Sequence, residues 1–422
     1  MTDQAFALHT IRTRVRKIDF RVDPRLRAPG VLDAEIAKAL TFLEDPSPHF
    51  AGIEYGRIGG KPVALARTYS AKLAVRKIDE NLRASNTGFG DDRRAVVLSL
   101  KSVLSDAVRY NLYKLDVRQF YESFDHQFVM THLRKTETLS NGTRRIVDFL
   151  LRQHASKGFS GIPRGLSLSS TLSELMMARL DSYIEGHPEV FFYRRYVDDL
   201  TIVTSRREDT KTFLTDVSSK LSEISPRMVF KTNKRYDLSV EGFKAPTSKS
   251  SSAPKFKSFD YLGYAYNVAT ENHKKICPPG RDVWLDVASR KVAKIKTRMV
   301  RSFLDYLKNK NFELLDNRIR HLTSNMSLLD RSRGVKRMIG IHFNYPLVNY
   351  DRTVALRELD RFLKNAIRSS KGRVSSKLFL ALTPAQKKAL SRHSFFTGAK
   401  SKHFFHMKNK ALLAVQRCWK YG

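Results

Sequence analysis

Cysteine is nearly absent: Cys277 and Cys418 are the only two in 422 residues, far apart and in no Cys-x-x-Cys spacing. A disulfide framework and a structural zinc site therefore find no support. Long apolar runs are missing as well. No window reaches the roughly 18 apolar residues of a spanning helix, and the opening text MTDQAFALHTIRTRVRKIDF has no apolar h-region, so a cytoplasmic location without membrane contact is expected. The third scarcity is acidic charge. Asp and Glu number 41 against 77 Lys and Arg, a formal charge of +36, and self-repulsion of that size is relieved when a polyanion neutralises it. Nucleic acid is the first partner to consider. Residues 271–422 hold 34 basic and 10 acidic residues, and residues 1–270 hold 43 and 31, so two thirds of the excess lies in the last third. With 41% hydrophobic residues the chain can bury a substantial core, and its length suits more than one domain.

No repeat at a solenoid period is visible, so the chain reads as consecutive domains. The sharpest composition break is GFKAPTSKSSSAPKFKS (242–258), a loop by content, and strand-like text resumes at once in FDYLGYAYNV (259–268). The segment thus reads as an interruption within one domain. From Val283 onward apolar residues recur at helical intervals with Lys and Arg between them, which predicts a basic helical region. Upstream, YNLYKLDV (110–117) reads as a strand and ESFDHQFVMTHLRK (122–135) as a helix. TLSELMMARLDSYI (171–184) reads as a helix with Leu172, Leu175, Met176, Leu180, Tyr183 and Ile184 on one face. FFYRRYVDDLTIVTS (191–205) has two β-prone runs around a polar pair, the pattern of a hairpin.

That polar pair is Asp198-Asp199, and Asp116 ends the strand YNLYKLDV. An Asp pair alone is usually a turn. Three carboxylates brought together are costly unless cations hold them. Two Mg²⁺ ions about 3.5–4 Å apart would do so, and they are the common device for in-line phosphoryl transfer.

Tyr196-Val197-Asp198-Asp199 resembles the YxDD box of reverse transcriptases. Leu115-Asp116-Val117 with Phe120-Tyr121-Glu122-Ser123-Phe124 resembles their first catalytic box, where aromatics follow the Asp by four and five residues. Gly161-Ile162-Pro163-Arg164-Gly165-Leu166-Ser167-Leu168-Ser169 is similar to the loop between them, and Phe259-Asp260-Tyr261-Leu262-Gly263-Tyr264 to the later box that grips the primer. The four occur in family order over roughly residues 60–270, a far more specific signal than any one of them. RTYSAKL, RGLSLSSTLSEL and GIHFNYPLV (340–348) look most like the defence-associated bacterial enzymes, and within them the type 3 systems, in which two reverse transcriptases work with a structured non-coding RNA. Retron and group II intron enzymes are less similar.

The resemblance implies an α+β right-hand polymerase: an N-terminal extension (1–60), fingers and palm with an antiparallel sheet and the YVDD hairpin (61–270), a thumb (271–340) and a basic helical C-terminal region (341–422). It implies an RNA-directed DNA polymerase working in the bacterial cytoplasm in antiviral defence. Its substrates would be dNTPs and an RNA template, its product DNA, and its partner a second reverse transcriptase subunit or another copy of itself. Asp116, Asp198 and Asp199 would be catalytic and would bind two Mg²⁺, or Mn²⁺ in their place, with the Val117 carbonyl as a further ligand. Tyr121 falls where the family packs an aromatic under the sugar to exclude a 2′-OH. Arg164 departs from the family's usual Gln and could meet a template or nucleotide phosphate as a charged fork. Lys231-Thr232-Asn233-Lys234 lies where the family often has Asn-x-x-Lys, which puts Lys234 near the leaving pyrophosphate and makes Lys231 a substitution. Arg67, Lys72 and Arg76, and more weakly Arg93 and Arg94, are candidates for the triphosphate.

Other readings remain open. Arg164 makes a template-independent or protein-primed polymerase on the same palm a rival, and the charge suits an inert RNA-binding scaffold. In the tail, His393-Ser394-Phe395-Phe396 and His403-Phe404-Phe405-His406 have aromatics for stacking on bases, though core packing is the more ordinary use. Arg337 and His342 share the Arg-x4-His spacing of certain RNases, a spacing that a chain this rich in Arg produces by chance.

Overall fold

A computed structural model describes residues 3–47, 52–85, 92–232, 235–241, 255–270, 280–330, 335–407 and 409–419. The described chain mixes helices with antiparallel sheets. It divides into two compact units, Met1–Val96 with Val108–Gly242, and Val97–Ala107 with Phe243–Gly422. The units part at Gly242, where the composition break begins.

In the first unit, β1 (Ile53–Ile58) and β2 (Lys61–Ala66) form an antiparallel ribbon. Gly59 and Gly60 close it at φ 58° and 77°, the left-handed pair that a two-residue hairpin turn demands. A four-stranded antiparallel sheet carries the catalytic candidates, in the order β4 (Val190–Tyr196), β5 (Asp199–Thr204), β3 (Tyr110–Asp116), β6 (Tyr236–Val240). β3 lies inside the sheet with Tyr110, Leu112, Tyr113 and Leu115 buried. Asn111 and Asp116 on the same strand are buried too.

The helix Ser167–Glu185 extends the expected one at its N-terminal end. It buries Leu168, Leu172, Leu175, Met176, Met177, Leu180 and Ile184, more than one stripe, as a helix enclosed in a core must. The helix Tyr69–Ala84 is capped by the Thr68 hydroxyl, which accepts from the Ala71 N–H at 3.2 Å. The helix expected over 122–135 is in fact two, Phe120–Ser123 and His126–Lys135. Phe124 is extended, and the Asp125 carboxylate caps the second helix by accepting from Gln127 N–H at 2.9 Å. A capping Asp in mid-pattern starts a new helix there.

In the second unit, β7 (Phe256–Tyr261), β8 (Tyr264–Ala269) and β9 (Val283–Val287) form an antiparallel sheet. Leu262-Gly263 makes the β7–β8 turn at φ 45° and 85°, and the Phe259 and Tyr266 rings stack with centroids 5.0 Å apart. The text after Val283 was expected to be helical from its first residue, but Val283–Val287 is a strand. Val283, Leu285 and Val287 are buried β-formers that complete the sheet. The long helix follows as Ser289–Asn309, then Phe312–Thr323. β10 (Asn325–Asp330) and β11 (Val335–Gly340) form a hairpin, and the remainder is helical, led by Ala355–Arg368. In the tail, Phe395 is fully buried, so core packing claims it. His342 shares a hydrogen bond with the Tyr350 hydroxyl at 3.0 Å. Among the described residues, no helix is long and apolar enough to cross a membrane.

Candidate active site

Asp116 is the last residue of β3 and Asp199 the first of β5, and the two are direct cross-strand partners. Asp198 stands with Val197 in the two-residue turn from β4 to β5, where Tyr196 pairs with Asp199. Such turns need positive φ. Val197 supplies 60°, an uncommon backbone for a β-branched residue. The Val117 N–H donates to the Asp198 carbonyl at 3.0 Å, tying the turn to the end of β3. The three aspartates and Val117 therefore meet at one end of one sheet.

A further segment clasps the same end. Val117 bridges Phe230 in antiparallel fashion, Arg118 N–H donates to the Val229 carbonyl at 2.8 Å, and Lys231 N–H donates to the Asp116 carbonyl at 2.8 Å. This brings the Lys231 ammonium onto the Asp116 carboxylate. Asp116 is 5% exposed, and a carboxylate that buried needs such compensation. No signal in the text foretold the pairing. Lys234 lies outside the described residues.

Carboxylates and a backbone carbonyl are hard oxygen donors, the kind that suit Mg²⁺ or Mn²⁺. Among the described residues, no group of three or more His, Cys, Asp or Glu side chains is gathered closely enough to hold a metal ion as it stands. The Lys231 ammonium competes for the Asp116 oxygen. The donor set thus fits a divalent cation in kind, and admitting one requires side-chain adjustment.

Tyr121 and Arg164 join this end through the loop of residues 161–165. Ile162 N–H donates to the Tyr121 carbonyl at 2.8 Å. The Arg164 guanidinium lies 4.8 Å from the Tyr121 ring centroid and forks onto both Glu122 oxygens at 2.8 and 2.9 Å. Arg164 was expected to present its fork to a phosphate, but Glu122 has taken it. Burial pushes the Tyr121 hydroxyl pKa up, and the Glu174 and Asp198 carboxylates add to that. Burial works against the Glu122 carboxylate too, yet the Arg164 fork holds its pKa below the ordinary value.

Gly161 has φ 80°, and a Cβ there would lie 2.1 Å from the Tyr121 carbonyl oxygen. Gly161→Ala is expected to cost more than about 1 kcal/mol of stability, since both the backbone and the space are unsuitable. Urea unfolding beside wild type measures this, and an unchanged midpoint would contradict it.

Arg195, on β4 and 8% exposed, was missed entirely by the sequence reading. It meets Asp181 at 2.9 and 2.7 Å and Glu174 at 3.1 and 2.6 Å, both on the helix Ser167–Glu185. Its Nη1 also donates to the Val197 carbonyl in the turn at 3.2 Å. Burial opposes its charge, but the two carboxylates raise its pKa and keep it cationic. No pattern in the sequence marked Arg195 as buried.

The remaining basic candidates are scattered. Arg76 was expected at a triphosphate. Instead it is held by Asp19 at 2.6 and 2.9 Å and by the Arg14 carbonyl at 3.0 Å, largely out of solvent. Arg67 is exposed and pairs with Glu54 at 2.5 Å. Lys72 is half-buried, Arg93 half-buried and Arg94 exposed.

Residues 64–266 match the family model described as reverse transcriptase (RNA-dependent DNA polymerase). No curated protein matches the chain. Among solved structures, the chain is similar to telomerase from Candida albicans in complex with a TWJ fragment of telomeric RNA. Identity is 11%, the match covers 87% of this chain and 61% of that one, and the TM-score is 0.34. All three aspartates fall inside the matched residues.

Proposed function

We propose that this protein is an RNA-directed DNA polymerase that builds DNA from dNTPs on an RNA template. The observation that carries the reading is the β3–β5 register, which sets Asp116 opposite Asp199 beside the Asp198 turn within the matched domain. Asp116, Asp198, Asp199 and the Val117 carbonyl would hold two Mg²⁺ ions. Bound there, the ions would lower the pKa of an attacking hydroxyl and neutralise charge on the leaving pyrophosphate. The chain's own residues do the rest. The β4–β5 turn fixes where the Asp198 and Asp199 carboxylates begin, and the Lys231 ammonium compensates the buried Asp116 carboxylate. Tyr121 offers its ring beneath the incoming sugar, and Arg67, Lys72 and Lys234 would meet the triphosphate, Arg67 by exchanging Glu54 for a phosphate.

The sequence resemblance supports a setting in bacterial antiviral defence, with a structured non-coding RNA as template and a second reverse transcriptase subunit or another copy of this chain as partner. The charge of +36 supports a polyanionic partner independently.

Purified protein given Mg²⁺, a primed RNA and labelled dNTPs is expected to incorporate label, and RNase treatment of the template beforehand to prevent it. Label retained by Asp198→Ala would overturn the assignment. Label retained after RNase would favour a template-independent enzyme on the same domain. In cells carrying the whole system, Asp198→Ala is expected to restore phage plating to the level of cells without it. Plating that stays suppressed would remove the defence role from the polymerase site.

A further inference from the structure

The loop residue that departs from the family's Gln has both ends tied down. The Arg164 carbonyl accepts from the Ala64 N–H on β2 at 2.7 Å, and the next residue, Gly165, sits at φ 99° where a Cβ would come within 2.7 Å of the Ala64 carbonyl oxygen. Its guanidinium makes two near-parallel bonds to Glu122, the residue next to Tyr121, and its face covers the Tyr121 ring. The Tyr121 peptide is fixed from the same loop by Ile162 N–H. Backbone and ring of Tyr121 are therefore both held by residues 162–164. A Gln at position 164 could supply neither the charge nor the fork, and would leave Glu122, itself half-buried, with only the weaker attraction of Lys61.

We propose that Arg164 and Glu122 are positioning residues for Tyr121, and that their ion pair sets how strictly the site excludes ribonucleotides. This rests on the polymerase reading, in which Tyr121 lies beneath the sugar. An aromatic ring rejects a 2′-OH only as far as it cannot move aside, and here a guanidinium clamped by a carboxylate backs it. A ring free to tilt would admit the extra oxygen at little cost to the deoxy substrate. Arg164 acts through the ring and not on a phosphate.

The two roles separate experimentally, because a phosphate is common to dATP and ATP and a sugar is not. We expect Arg164→Ala and Glu122→Gln each to lower the ratio of kcat/KM for dATP over ATP by roughly tenfold, within the range that one small group in a pocket is worth. The double variant should fall little further, because both changes break one pair. Arg164→Lys, which keeps charge but not the fork, should fall between. A KM rise shared equally by dATP and ATP in Arg164→Ala, absent in Glu122→Gln, would overturn the proposal and make Arg164 a phosphate ligand. An unchanged ratio in variants whose melting curves remain cooperative would overturn it as well. Fluorine NMR with 3-fluorotyrosine at position 121 gives a readout independent of turnover: the line should shift or broaden in both single variants. If wild type incorporates nothing, the polymerase reading has failed. The fluorine line then decides alone whether Arg164 and Glu122 hold the ring, and an unmoved line refutes that.

Discussion

Asp116→Asn is expected to lower single-nucleotide incorporation by about three powers of ten, the equivalent of several kcal/mol of transition-state stabilisation at roughly 1.4 kcal/mol per tenfold. Asn keeps the volume and one oxygen but removes the charge that a divalent cation needs. Asp116 has no nearby understudy, since Asp199, its cross-strand partner, already belongs to the same group. The substitution should leave the fold nearly intact. The Lys231 side chain is 26% exposed and can turn its ammonium to water when its carboxylate is gone, so the buried end of β3 is not left with an unpaired charge. Rapid-quench incorporation and a thermal melt on the same preparation test both halves. A rate within tenfold of wild type would show that Asp116 does not serve the chemistry.

What could be read from the text was whatever is local. The strand ending at Asp116, the hairpin around Asp198 and the long helix before it each carry their period in consecutive residues, and each is present. The meeting of Asp116 with Asp199 depends on register, and the family boxes supplied it where the strand patterns could not. Which cations are already spent was invisible. Arg76 goes to Asp19, Lys231 to Asp116 and Arg195 to Glu174 and Asp181. With 77 basic residues to choose from, ranking them by place in the sequence amounts to guessing which ones tertiary structure leaves in water. Burial decides that, and burial of a charged side chain has no period. The strand Val283–Val287 was missed for a different reason. A five-residue strand just before a strong amphipathic helix merges with its pattern, and only the edge of β8 distinguishes it.

Arg195→Ala is expected to destabilise the first unit by about 3–5 kcal/mol, the usual cost of removing one partner from a buried ion pair. Its side chain is 4% exposed, and Glu174 and Asp181 have only 16% and 24% of theirs in solvent, so neither carboxylate can recover hydration without moving the helix that carries it. The loss should reach the β4–β5 turn. Arg195 donates to the Val197 carbonyl, and Val197 is held at a φ of 60°, a conformation that persists only where its surroundings enforce it, at a cost of order 1–3 kcal/mol. Without the donor the turn is free to relax, and Asp198 moves with it. A compensated variant separates the two effects. Arg195→Met with Glu174→Gln and Asp181→Asn removes all the buried charge at once and should recover most of the stability, yet it restores no donor to the turn. Urea unfolding should therefore place the triple variant near wild type while its incorporation rate stays at least about tenfold low, a loss of roughly 1.4 kcal/mol at the transition state. Full activity in the triple variant would mean that Arg195 serves only the packing of β4 against its helix.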